Sequence, residues 1–216
     1  MRNKLQSQDL KGVVGVLLAG GSSRRFGGGD KCLRTLGAQS LLGRVADRAK
    51  PQVGSLILNA SGAPDRFDGY GLEVVADSVE GGHGPLAGIL TGLEWAETHV
   101  PHSTWLASFA TDAPFVPLDM VARLFEAVAQ QPSAQIALAT SAGRVHPVFA
   151  LWRVDLAPDL RQAVAVEGLR KVMTWVERYN TVHVDFTDAH IDPFFNINSE
   201  LDLAEAERLI LKVKSQ

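Results

Sequence analysis

The sequence predicts one α/β domain built on a mainly parallel sheet, and three observations carry that expectation. Val13–Leu18 (VVGVLL) is a near-continuous apolar run of strand length, as in a strand buried on both faces. Runs of this kind alternate along the chain with segments whose apolar residues recur at helical spacing, the order that βαβ units require. The 216 residues, 46% of them apolar, contain no linker, internal repeat or low-complexity tract and suffice for one full core.

The elements follow in order. Val13–Leu18 runs straight into a glycine-rich loop, Ala19–Lys31 (AGGSSRRFGGGDK). Leu41–Lys50 reads as a helix, Ser55–Asn59 (SLILN) as the second strand and Leu72–Ala76 (LEVVA) as the third. Pro85–Glu97 sets Leu86, Ile89, Leu90 and Leu93 at helical spacing, with Pro85 suited to a first turn. Thr104–Ala110 is a fourth strand, and Pro117 opens a helix whose inner face is Val121, Leu124, Phe125 and Val128. Ile136–Thr140, Val148–Trp152 and Val182–Phe186 read as strands. The last helix begins at Ser199, with Asp202 as its capping-box partner and Leu203, Ala206 and Ile210 facing inward. Together they describe a single Rossmann-like three-layer domain.

Composition excludes several functions. Lys+Arg 21 against Asp+Glu 24 leaves a net charge of −3, which argues against a general nucleic-acid or membrane-surface binder. The one cysteine, Cys32, rules out an intrachain disulfide framework or a Cys-rich zinc site, and reads as a small packed residue. Arg2 and Lys4 before Val13–Ala19 imitate a secretory leader, but Gln6, Gln8, Asp9 and Lys11 interrupt the approach and Gly15 breaks the run. No apolar run nears the ~18 residues of a membrane span. A reducing, cytoplasmic compartment is the expectation.

Glycine is distributed unevenly: 18 of the 20 lie at or before Gly92, and only Gly143 and Gly168 follow. Five of them sit in the loop after the first strand, beside Arg24, Arg25 and Lys31 against a single acid, Asp30. A glycine turn beyond the carboxyl end of a strand lets backbone N–H groups approach an anion, and the local +2 charge suits a polyphosphate. Lys31 stands between Asp30 and Cys32, so the Walker pattern fails. No glycine follows Gly27-Gly28-Gly29 at the dinucleotide spacing either. Gly82–Ala87 (GHGPLA) fits that fingerprint formally, but it begins six residues after its strand and Pro85 has no N–H to offer.

Other residues invite chemistry. Asp112 in Thr111-Asp-Ala-Pro114 reads equally as a metal carboxylate and as the start of an Asx-Pro turn. His99 and His102 have metal-like spacing in a helix-to-strand loop with no third ligand near. Asp185, Asp188, His190 and Asp192 read as a solvated acidic loop beside the last strand.

Leu18–Lys31 (LAGGSSRRFGGGDK) closely resembles the L-A-G-G-x-S-x-R-M-G-x-x-D-K signature of molybdenum cofactor guanylyltransferases. The resemblance continues through Asn59, Asp77, Gly84–Ile89 (GPLAGI), the Asp112–Pro114 element, His146-Pro147 and Asn196-Ile-Asn198, in order from residue 18 to about 203. Phe26 and Thr111 depart from the usual methionine and cysteine, and neither supplies a charge.

The resemblance implies a nucleotide-diphospho-sugar-transferase-like fold and transfer of GMP from GTP to the terminal phosphate of molybdopterin, with Mg²⁺ as cofactor. It implies a nucleotidyltransferase domain over 12–216 after an extension at 1–11, with a nucleotide half over 12–115 and an acceptor half over 116–216. Lys31, Arg25 and Asp112 would act in catalysis, with Asp112 on the metal. Leu18, Ala19, Gly20, Gly21, Asn59 and Asp77 would line the nucleotide, either Asn59 or Asp77 meeting the base. Arg24 would face solvent or serve structure. His146, Asn196 and Asn198 are candidates for the acceptor; the alternatives are a turn histidine and a backbone-capping asparagine pair. Transient contacts with cofactor-biosynthesis proteins and recipient molybdoenzymes are also implied, with no nucleic acid and no membrane. Two other readings stay open: a cytidylyl- or sugar-phosphate nucleotidyltransferase of the same fold, and a non-catalytic delivery module. Cytidylyltransferases carry L-A-A-G where this chain has Leu18-Ala-Gly-Gly21.

Overall fold

The structure, a computed structural model, describes residues 10–20, 29–80, 84–187 and 191–214, with side chains to 211. A 3-10 turn, Leu10–Gly12, leads into β1 (Val13–Leu18), and a short hairpin, β2 (Thr35–Leu36) and β3 (Gln39–Ser40), precedes α1 (Leu41–Ala49). Then come β4 (Ser55–Asn59), β5 (Glu73–Val75), α2 (Pro85–His99), β6 (Trp105–Ala110), α3 (Met120–Gln130), β7 (Ile136–Ser141) and β8 (Arg144–Arg153). The chain ends with α4 (Ala157–Arg161), α5 (Val172–Val176), β9 (Thr181–Asp185) and α6 (Glu200–Lys214).

The main sheet has seven strands in the order β5-β4-β1-β6-β8-β7-β9. It is parallel except at β8, which runs against both neighbours. β1 is buried along its whole length, as its unbroken apolar run predicts. Its side chains alternate between the two faces: Val13 and Leu17 pack with α1 and α3, while Val14, Val16 and Leu18 pack with α2, α4 and α5. These are the three layers. α6 lies off the sheet, with Ala206 in a small cluster around Leu36, Leu41 and Ile197, and Leu203 and Ile210 packed against it. Ser199 and Asp202 make one half of the expected capping box: Asp202 N donates to Ser199 Oγ (3.2 Å), while the carboxylate accepts from the Ser199 hydroxyl (2.9 Å) and from Asn198 N (2.9 Å), one residue before the expected amide.

Several expectations need correction. α3 begins at Met120, not Pro117, because buried Gln52 caps it from outside: Val121 N donates to Gln52 Oε1 at 2.9 Å, and Pro117 O accepts from Gln52 Nε2 at 2.8 Å. β8 starts at Arg144, four residues earlier than its apolar run, since residues 147–149 bulge out of the ladder. It is joined to β7 by a two-residue turn with φ 47° at Ala142 and 75° at Gly143, the left-handed pair of a tight hairpin. His99 lies within α2, where its ring stacks on Trp95 at 4.6 Å, rather than in a loop. The β2–β3 hairpin and the helical stretch around α4 and α5 were not anticipated. Among the described residues no helix is long and apolar enough to cross a membrane.

Candidate active site

From β1 the chain moves to β4 and β5 on one side, then crosses to β6 on the other. At such a switch point the loops leaving the two central strands diverge and open a crevice at their carboxyl ends. Here the crevice is a cleft of about 500 Å³, lined among others by Leu18, Gly20, Asn59, Asp77, Asp112 and Asn196.

Lys31 reaches this cleft from a 3-10 turn, Lys31–Leu33, that is rooted by the buried Cys32 side chain. Asp30 beside it pairs with Arg66 at 3.1 Å. Lys31 Nζ donates to Asp112 Oδ2 at 2.5 Å and to Asn198 Oδ1 at 2.8 Å, so one ammonium joins its own turn to the loop after β6 and the segment before α6. Both side chains of the ion pair retain about a fifth of their surface in solvent, 21% and 19%. Asp112 Oδ1, by contrast, is buried and has no hydrogen-bond partner among the described residues. A buried unpartnered carboxylate oxygen is costly unless something else satisfies it. Ile197 N donates to Asp112 O at 2.9 Å and its side chain is buried, which leaves Asn196 and Asn198 exposed on either side of it. The asparagines are therefore not a capping pair: Asn198 spends its side-chain oxygen on Lys31, and only its backbone N–H meets Asp202 (2.9 Å).

On the opposite wall Asn59 is 5% exposed, and its amide nitrogen donates to Val75 O (3.2 Å) and Asp77 Oδ1 (2.9 Å). Both of its donors are engaged. Asp77 is exposed, and no hydrogen bond among the described residues engages its Oδ2, which leaves that oxygen able to accept one. The two residues are thus not interchangeable: one holds, the other reaches out.

At the end of β1, Leu18 O accepts from Thr111 Oγ1 (3.0 Å) and Thr111 N (3.4 Å), and Ala19 N donates to Asn59 O (3.0 Å). Those backbone groups are consumed inside the sheet. Gly20 is different, since a Cβ built on it meets nothing within 4 Å among the described residues beyond its chain neighbours. The described residues leave that side of the backbone open, as a ligand's close approach would require. Gly21, Arg24 and Arg25 lie outside the described residues, as do Gly27, Gly28 and Gly82.

His146 is neither in a turn nor open to the cleft. It sits in β8, 7% exposed, with its ring 4.7 Å from that of Phe194. Ser141 Oγ donates to Asp192 Oδ1 (2.8 Å) and therefore accepts from His146 Nε2–H (2.7 Å). This brings Ser, His and Asp together, but with the serine in the middle and both of its bonding directions occupied, so the order of a nucleophilic triad is absent. Burial holds the His146 pKa below its usual value, more strongly than Asp192 raises it. Asp192 is accordingly not a solvated loop acid: its Oδ1 also accepts from Phe194 N at 3.0 Å, mooring the loop that carries Asn196 and Asn198. Asp188 and His190 lie outside the described residues.

Among the described residues no three His, Cys, Asp or Glu side chains gather into a metal cage. The donor set at Asp112 fits Mg²⁺, which commonly takes one or two carboxylates and completes its octahedron with substrate phosphates and water. Sequence reasoning weighs Thr111 only for its lack of charge and misses its hydroxyl, which ties the end of β6 to β1, and it misses the Lys31–Asn198 bond, which spans 167 residues and leaves no local signal.

A family model described as a MobA-like NTP transferase domain matches residues 15–182. The chain is 50% identical over 204 residues to a molybdenum cofactor guanylyltransferase of Rhodopseudomonas palustris (strain BisB5), covering 94% of this chain and 97% of that one. Among solved structures it resembles molybdopterin-guanine dinucleotide biosynthesis protein A of Archaeoglobus fulgidus, with a TM-score of 0.75, 25% identity and coverage of 92% and 99%. CMP:2-keto-3-deoxy-manno-octonic acid synthetase in complex with CTP shares the fold at a TM-score of 0.67, 13% identity and coverage of 93% and 99%.

Proposed function

The chain belongs to the molybdenum cofactor guanylyltransferases of the MobA-like NTP transferase family, and from that premise we propose that it transfers GMP from GTP to the terminal phosphate of molybdopterin. An oxygen of that phosphate bonds to the α-phosphorus as the bond from α-phosphorus to the bridging oxygen breaks, and pyrophosphate leaves. A phosphate monoester with a second pKa of about 6 is already ionised near neutral pH, so the protein needs no general base. Its task is to align two anions and offset their charge.

The observation that carries this reading is Lys31, held between Asp112 and Asn198 at the mouth of the cleft. Asp112, with its buried unpartnered oxygen, would hold Mg²⁺, which when bound offsets the charge of the triphosphate. Lys31 then turns from Asp112 to the β- and γ-phosphates and the departing pyrophosphate. Gly20 and Gly21 admit the triphosphate to the backbone, and Arg25 adds a further cation. The Asp77 carboxylate accepts from the N–H donors on the pairing edge of guanine, a pattern that cytosine does not present. Asn196 and Asn198 face the acceptor, and His146 acts at one remove through Ser141 and Asp192. In this reading the nucleotide half is 12–115 and the acceptor half 116–216, and the Lys31–Asn198 bond carries a contact between them into the cleft. Transient contacts with proteins that supply molybdopterin or receive the product belong to the same reading.

The test is incubation with GTP, Mg²⁺ and molybdopterin, with mass analysis for the guanine dinucleotide and an assay for pyrophosphate. The expected result is product with GTP and none after chelation. A cytosine dinucleotide formed faster from CTP would overturn the base assignment. No pyrophosphate from any nucleotide, with a competent acceptor present, would point to the delivery module instead.

A further inference from the structure

We infer that Gly88 is a positioning residue for base selection: its missing side chain lets α2 lie against Asn59, and Asn59 in turn holds Asp77 in the orientation that reads guanine. The inference deepens the functional reading above and rests on it.

The geometry is specific. Val75 O and Asp77 Oδ1 both accept from Asn59, so its amide nitrogen must face them and Oδ1 must face the other way, towards α2. There the helix offers Gly88. A Cβ at that position would lie 2.4 Å from Asn59 Oδ1 and 2.7 Å from Leu18 Cδ2, distances real Cβ contacts do not show. A free asparagine would turn aside, but this one is pinned on its far side by two hydrogen bonds and is 5% exposed. Any methyl on Gly88 therefore displaces the amide and breaks its bond to Asp77. The same helix steadies the next residue of that loop. Thr91, three residues on, accepts from Ser78 N at 2.9 Å and donates to Ala87 O at 2.9 Å. Asp77 is thus set from α2 twice, through its side chain by way of Asn59 and through the following amide by Thr91. Asp77 Oδ1 is tied to Asn59, so the direction in which Oδ2 meets the 2-amino group of guanine is the quantity Gly88 controls.

Inosine triphosphate separates this role from ordinary packing, because inosine keeps the N1–H of guanine and lacks the 2-amino group. The wild type should prefer GTP over ITP by about 10- to 100-fold in kcat/KM, the worth of one hydrogen bond to a charged acceptor. In Gly88→Ala the ratio should fall to within about 3-fold of unity, with GTP losing more than ITP. Asn59→Ala should reduce the ratio in the same way, and adding Gly88→Ala to it should reduce it no further. A Gly88→Ala enzyme that melts earlier yet keeps the wild-type ratio would overturn the inference, since a packing role lowers both substrates together. If Gly88→Ala does not fold, the Asn59→Ala/Gly88→Ala double variant should regain the fold. Its failure to do so would mean that Leu18 sets the constraint, and would also overturn the inference. A wild type that uses CTP in place of GTP overturns the functional reading itself, and this is seen before any variant is made.

Discussion

Lys31 Nζ lies 2.5 Å from Asp112 Oδ2, a lysine from the turn after the glycine loop set against the carboxylate that ends β6. In the proposed reaction this pair meets the charge of the triphosphate, and each partner has a different use once a nucleotide arrives.

Lys31→Ala should lower kcat by about 10²- to 10³-fold, the usual loss when one preorganised charge stabiliser is removed. Steady-state kinetics with GTP check it. A change confined to KM would mean that Lys31 binds ground state and transition state alike.

Asp112→Asn keeps the shape of the side chain and removes its charge. It should melt within a few degrees of the wild type while losing about 10²-fold or more in turnover, and added Mg²⁺ should not restore it. A variant with wild-type turnover at limiting Mg²⁺ would remove the metal role from Asp112.

Gly20→Ala tests the open space at the end of β1. Among the described residues, chain neighbours aside, no atom lies within 4 Å of the added Cβ, so stability should not change. The KM for GTP should rise about 10-fold, or about 1.4 kcal/mol of binding. An unchanged KM would mean that the nucleotide does not approach this backbone.

His146 predicts a dependence of stability on pH. Its folded pKa lies below the usual 6.5 because burial disfavours the charged ring. The unfolded chain therefore binds more protons in the window between the two values. The contribution is fully present above 6.5 and is lost as pH falls through the folded value. Urea midpoints from pH 7.5 down to 5 should fall more steeply for the wild type than for His146→Gln. Parallel curves would show that other groups set the slope.

Cys32 should be inert in the folded protein. It is 2% exposed, and burial raises its thiol to about 11, with Asp30 adding to the shift. Alkylation at pH 8 should proceed only on unfolding, and rapid labelling of the native chain would contradict its packing.

Legibility from sequence followed the range of the signal. β1 and α2 could be read because each is a continuous run with its own period and, for α2, its own first-turn proline. β8 was read short because Pro147, which has no ladder N–H, sits in a bulge whose shape depends on Ser108: its hydroxyl donates to Val148 O at 2.7 Å and accepts from Trp152 Nε1 at 2.8 Å. The start of α3 was misplaced because its cap, Gln52, is 69 residues away. In the site, individual candidates were visible through their motifs, but their division of labour was not. Which of Asn59 and Asp77 faces outward depends on Val75 and Gly88, and no spacing rule encodes that.

The bond from Lys31 to Asn198 also has a history within each molecule. Synthesis runs from the amino terminus at about 5–20 residues per second. The lysine therefore leaves the ribosome roughly ten to thirty seconds before the asparagine that fixes it, 167 residues later. Until then the Lys31 ammonium lacks the contact that Asn198 supplies. Asp112, 81 residues after the lysine, is made well before Asn198, so the ion pair has both of its partners long before the third group that steadies it exists.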